Sequence, residues 1–364
     1  MTRTRLIVAL ILVLTTYAAG APKAGHPFAV APDRAFDAIA PLDPAAGDIA
    51  PTADERALFA DAADGTFHKF SFAEACLMAS GVTEPAARKT YLGRIDKIEA
   101  DAKTGLTGAG TVREKAERLL RFLHAGPMKK GYRADQTDLH TLLDTGTFNC
   151  VSSAALYNVI GRRLGLDLRA VEVPGHVFAV LVDGGRRIDV ETTNQDGFDP
   201  DREKGKPGKR HPGTRREVGE AGLAAVIAYN HGVALAKARR FPAALAANLR
   251  ALALDRDNPS AAANAVADLT NWPNELSKAG QYEEALAVLK VGRELTAGRP
   301  AADGLKKNAL AVFDAWAGGH MKRGEWAEAI RVYERGLAAL PGDKHLAHNL
   351  AYCRQEQGRA GKTN

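Results

Sequence analysis

The chain has few cysteines, few aromatic residues and no apolar run long enough to cross a membrane. Each shortage excludes something. Three cysteines in 364 residues cannot all be paired with one another, so at least one thiol is free. No Cys-x-x-Cys or His-x-x-x-His accompanies them, and His345 with His348 is a lone i, i+3 pair, so no metal site is expected. Aromatic residues make up 6% of the chain and do not interleave with the basic ones. A nucleic-acid-binding face needs such stacking partners, and none is expected here. The net charge of +6 is modest, and much of the excess lies between Arg202 and Arg216, which makes a local basic loop. What is present is ordinary for a folded protein. The chain is 46% hydrophobic and 25% charged, is rich in alanine, and is long enough for two folded units.

The N-terminus has the layout of an export signal. Arg3 and Arg5 precede a continuous apolar run from Leu6 to Leu14, and Ala18-Ala19-Gly20 supplies small residues for cleavage. Pro22 disfavours cleavage after Ala21, so the Gly20–Ala21 bond is the expected site and residues 1–20 the expected signal peptide. Even extended to Ala19, the run is shorter than the roughly 20 residues that span a bilayer. An uncleaved segment would instead associate the protein with a membrane. No cysteine follows the run to carry a lipid. The expected location is outside the cytoplasm, periplasmic or extracellular.

Residues 21–65 begin with Pro, Ala and Asp in no clear period and read as a spacer, extended to about residue 50. From Thr52 to about Leu123 the pattern becomes helical, with amphipathic stretches at Phe72–Met78, Tyr91–Ile98 and Val112–Leu123. A better-marked helix starts at Cys150. Asn149 can cap it, and Leu156, Ile160 and Leu164 recur on one face until Gly165 ends it. Strands are expected at Leu168–Val173, His176–Val182 and Arg187–Thr192, the last two joined at Asp183-Gly184-Gly185.

Cys150 at a helix start, His176 at a strand head within Pro174-Gly175-His176, and Asp189 and Glu191 on the next strand outline thiol nucleophilic catalysis. A helix N-terminus and an adjacent imidazolium both favour a thiolate, and a carboxylate can orient the imidazole. The hairpin register chooses between the carboxylates. If Gly184-Gly185 is a two-residue turn, Asp183 opposes Arg186 and Glu191 becomes the diagonal neighbour of His176. Asp189 then lies one pair further, roughly 13 Å away at about 3.3 Å per residue. A three-residue turn would reverse the parity and put neither beside the ring. Tyr132, Arg133 and His140 precede the nucleophile and read either as cleft-lining or as solvated surface. Cys76 and Cys353 read as either bridged or buried.

After a basic linker over residues 199–221, the chain to residue 360 is helical with an internal repeat. Arg240-Phe241-Pro242-Ala243-Ala244-Leu245, Gln281-Tyr282-Glu283-Glu284-Ala285-Leu286 and Glu325-Trp326-Ala327-Glu328-Ala329-Ile330 share one aromatic-x-x-Ala-apolar signal. Ala244, Ala285 and Ala329 are 41 and 44 residues apart. These units resemble tetratricopeptide repeats, with Trp326, Ala329, Tyr333 and Pro341 the best match. Pro273 interrupts the pattern of the second unit, and the spacing exceeds the usual length.

The block from 66 to 198 resembles the transglutaminase-like superfamily of papain-like thiol enzymes, most closely its SirB1-like branch. The resemblance rests on Leu143-Asp144-Thr145-Gly146-Thr147-Phe148-Asn149-Cys150, Leu156-Tyr157, Gly161-Arg162-Arg163-Leu164-Gly165-Leu166, Val173-Pro174-Gly175-His176 and Val190-Glu191-Thr192-Thr193. It implies an α+β domain with a helical part and an antiparallel sheet, followed by an all-α repeat solenoid. It also implies a nucleophile at Cys150, a base at His176 and an acidic orienter at Glu191, where relatives commonly carry Asp. The expected function is that of a peptidase, amidase or acyl transferase with no cofactor, acting on a peptide or protein while the repeats bind a protein partner. The alternative is a non-catalytic interaction scaffold of the same fold.

Overall fold

One helix, α7 (Cys150–Arg163), is buried from Val151 to Gly161, and the first part of the fold is built around it. A helix apolar on all sides must be covered on all sides. Four helices do part of this: α3 (Phe72–Ala79), α4 (Pro85–Gly105), α5 (Val112–Ala125) and α6 (Leu139–Thr145). Their starts follow from the sequence. Ser71 and Glu74 form a capping box on α3, and Thr111 caps α5 through the Glu114 amide. In α5, Ala116, Leu119, Leu120 and Leu123 form the inward face. The computed structural model describes residues 27–43, 49–198 and 215–360, so the expected signal peptide and residues 199–214 of the expected linker lie outside the described residues.

A four-stranded antiparallel sheet closes the remaining side of α7. Its strands are β3 (Leu168–Val173), β4 (His176–Asp183), β5 (Arg186–Val190) and β6 (Arg216–Val218), in the order β5-β4-β3-β6. Val177, Ala179 and Leu181 join the main core with α7, whereas Val171, Val173, Phe178 and Val180 form a second apolar cluster. Gly184 (φ 55°) and Gly185 (φ 81°) make the two-residue turn, so Asp183 pairs with Arg186 and Val180 with Asp189. A short parallel pair, β1 (Gly131–Tyr132) and β2 (Thr147–Phe148), leads into α7.

Seven helices follow: α8 (Glu220–Lys237), α9 (Phe241–Leu254), α10 (Pro259–Lys278), α11 (Tyr282–Leu295), α12 (Pro300–Lys322), α13 (Trp326–Ala339) and α14 (Lys344–Ala360). Each packs on the next, and α10 also packs on α8 and α12. Ala244, Ala285 and Ala329 are fully buried at these contacts. The long spacing between units comes from the first helix of each pair. Helices α10 and α12 run for 20 and 23 residues, while α9, α11 and α13 have 14 each.

Two boundaries differ from the sequence reading. The stretch to about residue 50, expected to be extended, instead contains α1 (Pro32–Ile39), while α2 (Ala53–Asp61) lies where the helical pattern begins. Helix α1 lies on α9 and α11 with Phe36 and Ile39 buried, and the Ala29 amide donates to the Leu295 carbonyl at 2.7 Å. Partners far along the chain, rather than local periodicity, stabilise this short helix. The end of the expected linker is β6, paired with β3, so the boundary has no free tether on the described side. The core is continuous across it, because α8 packs on α3.

Candidate active site

Helix α7 begins at Cys150 because Asn149 stops the preceding extended chain. The Asn149 Oδ1 accepts from the amides of Val151 (2.9 Å) and Ser152 (3.2 Å), and the Ser152 hydroxyl accepts from the Asn149 amide at 3.1 Å. The cap is itself held, since its Nδ2 donates to Thr137 Oγ1 at 2.8 Å and to the Ala134 carbonyl at 3.2 Å. Cys150 is thereby the first helical residue, half-buried at the positive end of the helix dipole.

His176 enters from β4. Pro174-Gly175 turns the chain so that His176 pairs with Val173 at the head of the strand. Its Nε2 lies 2.6 Å from Glu191 Oε2, and Cys150 is near enough to influence the protonation of the ring. The neighbouring Cys150, followed by the bond to Glu191, raises the His176 pKa to about 10, against the opposing effect of burial. The ring is therefore protonated at neutral pH. Its side chain is 21% exposed, enough for a substrate or water to reach it.

Glu191 lies one residue beyond the last ladder pair, Ala179 with Val190. A tight loop holds it. The Glu191 amide donates to Gly197 O at 2.7 Å, and the amides of Asn194 and Gly197 close the turn inside it. Gly197 passes so close that a Cβ there would overlap the Glu191 carbonyl. Thr193 engages the other carboxylate oxygen, donating from Oγ1 at 2.7 Å and from its amide at 3.2 Å. Burial acts to raise the Glu191 pKa, but the bond to His176, its charge and the two Thr193 bonds outweigh it and hold the carboxyl below its ordinary range.

Asp189 is directed elsewhere. It accepts both terminal nitrogens of Arg215 at 2.7 and 2.8 Å, and that guanidinium lies 5.0 Å from the centre of the Phe178 ring, which stacks on His176. Of the three residues noted ahead of the nucleophile, Tyr132 is at the site. It pairs with Phe148, packs edge-on against its ring at 6.3 Å, and is 56% exposed. Burial, then the charges of Cys150 and Glu191, raise its phenol pKa. Arg133 instead pairs with Asp135, and His140 packs against Tyr91 on α4. Cys76 and Cys353 are free and fully buried, and burial raises both thiols, Cys353 to about 11. Thiols in such surroundings are unreactive. Among the described residues no group of three or more His, Cys, Asp or Glu could hold a metal ion, and no helix is long and apolar enough to cross a membrane.

Sequence reading missed the contacts that support Glu191. Thr193 was visible as a hydroxyl two residues after a carboxylate, a spacing suited to a local side-chain turn. The closure by Gly197 had no local signal.

No curated protein and no solved structure gives a significant match to the chain. Residues 89–195, which contain Cys150, His176 and Glu191, match the family model of the transglutaminase-like superfamily, which supports a transglutaminase-like domain over this part of the chain.

Proposed function

We propose that the protein is a thiol hydrolase of peptide or amide bonds in which Cys150 is the nucleophile, His176 the acid–base and Glu191 the orienting carboxylate. The observation that carries this reading is the His176 ring, held by Glu191 at 2.6 Å and near enough to Cys150 for the thiol to influence its protonation. The reactive form of the proposed site pairs a Cys150 thiolate with the His176 imidazolium. The thiolate sulfur attacks the amide carbonyl carbon, and the carbonyl electron pair moves onto oxygen, where the Cys150 amide at the helix start donates to it. As the C–N bond breaks, the His176 proton passes to the leaving nitrogen and a thioester remains. Water then attacks, giving its proton to neutral His176. The C–S bond breaks and the thiolate–imidazolium pair returns. An amine in place of water would make the reaction an acyl transfer; hydrolysis is the favoured branch because water is abundant and no amine-binding group is identified. Glu191 keeps the ring in one orientation throughout.

The helices from α8 onward are read as tetratricopeptide repeats of the SirB1-like arrangement, presenting a groove to a protein partner. The Arg3–Leu14 segment is read as an export signal, which places the reaction outside the cytoplasm or at its membrane. The test is the rate of iodoacetamide alkylation of each cysteine against pH, read by peptide mass spectrometry, with Cys76 and Cys353 as internal references. Rapid labelling of Cys150 well below pH 8 that is lost in His176→Ala supports the enzyme. Labelling no faster than an ordinary thiol, or unchanged by the substitution, supports a non-catalytic scaffold.

A further inference from the structure

Nothing in the sheet ladder ties Glu191 to the helix that carries Cys150. The ladder ends at Val190, the backbone bonds of the Glu191 loop close on the loop itself, and its Asp196 accepts from Arg121 on α5 rather than from α7. The connection is made one residue further on. Thr192 Oγ1 lies 2.8 Å from Ser153 Oγ, and both residues are fully buried. Ser153 is one turn after Cys150, and its hydroxyl also lies 3.3 Å from the Cys150 carbonyl. Each hydroxyl has one proton. The arrangement that satisfies both contacts has Thr192 donating to Ser153 and Ser153 donating to the Cys150 carbonyl. His124, on α5, holds the same residue from the other side, its Nε2–H donating to the Thr192 carbonyl at 3.0 Å. The edge of that imidazole also packs on Phe148, two residues before Cys150. Burial lowers the His124 pKa, so the ring stays neutral at neutral pH and binds the carbonyl as a single tautomer.

We infer that Ser153 and Thr192 are positioning residues that lock the Glu191 loop to the nucleophile helix, with His124 as a brace, so that the His176 ring is held between thiol and carboxylate. Neither hydroxyl touches a reacting atom. A buried hydroxyl pair that only satisfied the core would affect stability and leave the site's proton chemistry unchanged. The inference rests on the proposed Cys150–His176–Glu191 site for its consequence, while its readout is the His176–Glu191 geometry.

Thr192→Val keeps the shape of the side chain and removes the hydroxyl. Its His176 ring, followed by NMR on histidine-labelled protein, is expected to titrate about one pH unit or more closer to an ordinary imidazole, matching the tenfold effect of one well-formed hydrogen bond. Cys150 alkylation at pH 6 is expected to fall about tenfold in parallel, and Thr192→Ser is expected to restore both. Ser153→Ala, a substitution a helix accepts readily, is expected to repeat the shift if Thr192→Val folds poorly. A wild-type His176 titration in folded Thr192→Val or Ser153→Ala protein overturns the inference, as does failure of Thr192→Ser to restore it. If wild-type Cys150 proves unreactive while His176 still responds to Thr192→Val, the positioning role stands and the thiol-enzyme reading falls.

Discussion

His176 and Glu191 meet on the diagonal of their hairpin, with Nε2 and Oε2 2.6 Å apart, although the strand carrying Glu191 has already left the ladder. A glutamate spans this offset where a shorter acid would not. Glu191→Asp withdraws the carboxylate by about one C–C bond, enough to carry the contact beyond the ordinary hydrogen-bond range. Glu191→Gln keeps the length and removes the charge. Both variants are expected to bring the His176 titration down from about 10 towards 6.5, and to slow Cys150 alkylation at pH 6 by about tenfold or more. NMR titration with peptide mass spectrometry checks both effects.

Asp189→Asn is the paired control. Asp189 holds Arg215 in a two-pronged ion pair whose side chains are 33% and 48% exposed, and it does not approach His176. Such partly solvated pairs contribute about 1 kcal/mol or less. The expected result is a small loss of stability in urea unfolding with an unchanged His176 titration. A shift of the ring comparable to that in Glu191→Gln would mean that Asp189 shares the orienting role.

The same pair makes stability depend on pH in a defined window. His176 has a raised pKa in the folded protein, so its stabilisation is complete below the ordinary imidazole value of 6.5 and is lost as pH rises through about 10. Glu191 has a lowered pKa, so its contribution is present above its ordinary value of 4.5 and is lost as pH falls through its folded pKa. The two overlap between roughly pH 4.5 and 6.5. The stability difference between wild type and Glu191→Gln is expected to be greatest there, at about 1–3 kcal/mol, and to shrink towards pH 10. Urea unfolding at four or five pH values tests this. A difference that grew with pH would contradict the assignment.

Much of this site is legible in the sequence, because its determinants are local. Asn149 caps the helix with its own side chain, and two consecutive glycines dictate the turn that sets the diagonal. The helical character of the C-terminal region also shows, through small residues at close helix contacts. What was hidden depends on partners distant along the chain. Ser153 and Thr192 are 39 residues apart, and nothing in either neighbourhood announces the other. Helix α1 has a few apolar residues that become a helix face only against α9 and α11. Strand β6 is three residues long and sits at the end of a basic stretch, where its partner β3 alone marks it as a strand.

Gly197 is a sensitive point in the Glu191 loop. Its extra Cβ in Gly197→Ala would collide with the Glu191 carbonyl and come 2.9 Å from the Asn194 carbonyl. Both are backbone atoms, so the turn must open. We expect a loss of about 1–3 kcal/mol together with a lowered His176 titration, because the carboxylate moves with its backbone. Asn194→Ala, which loses the bond from the Asp196 amide to Asn194 Oδ1 but keeps the backbone bonds of the turn, is expected to keep the titration close to wild type. A Gly197→Ala protein with wild-type His176 behaviour would show that Thr193 and the Ser153–Thr192 pair suffice to hold the loop.

Glu172 links the sheet to the helical region and sets how the two unfold. It is 6% exposed on β3 and accepts from Tyr229 on α8 at 2.7 Å, Ser260 on α10 at 2.9 Å and Arg216 on β6 at 3.3 Å. Removing this buried acceptor leaves the Tyr229 and Ser260 hydroxyls without it and Arg216 with Asp255 as its remaining carboxylate. Glu172→Ala is therefore expected to cost about 3 kcal/mol and Tyr229→Phe about 1 kcal/mol. All three tryptophans, Trp272, Trp316 and Trp326, lie in the helical region, whereas Cys76 is buried in α3 beside α7. Tryptophan fluorescence and Cys76 labelling in urea thus report on the two parts separately. With the core continuous through α3 and α8, the two curves are expected to coincide in wild type and to shift together in Tyr229→Phe. In Glu172→Ala, curves that separate would show that this carboxylate is the main tie between the parts, while curves that remain superimposed would assign the coupling to the apolar α3–α8 contact.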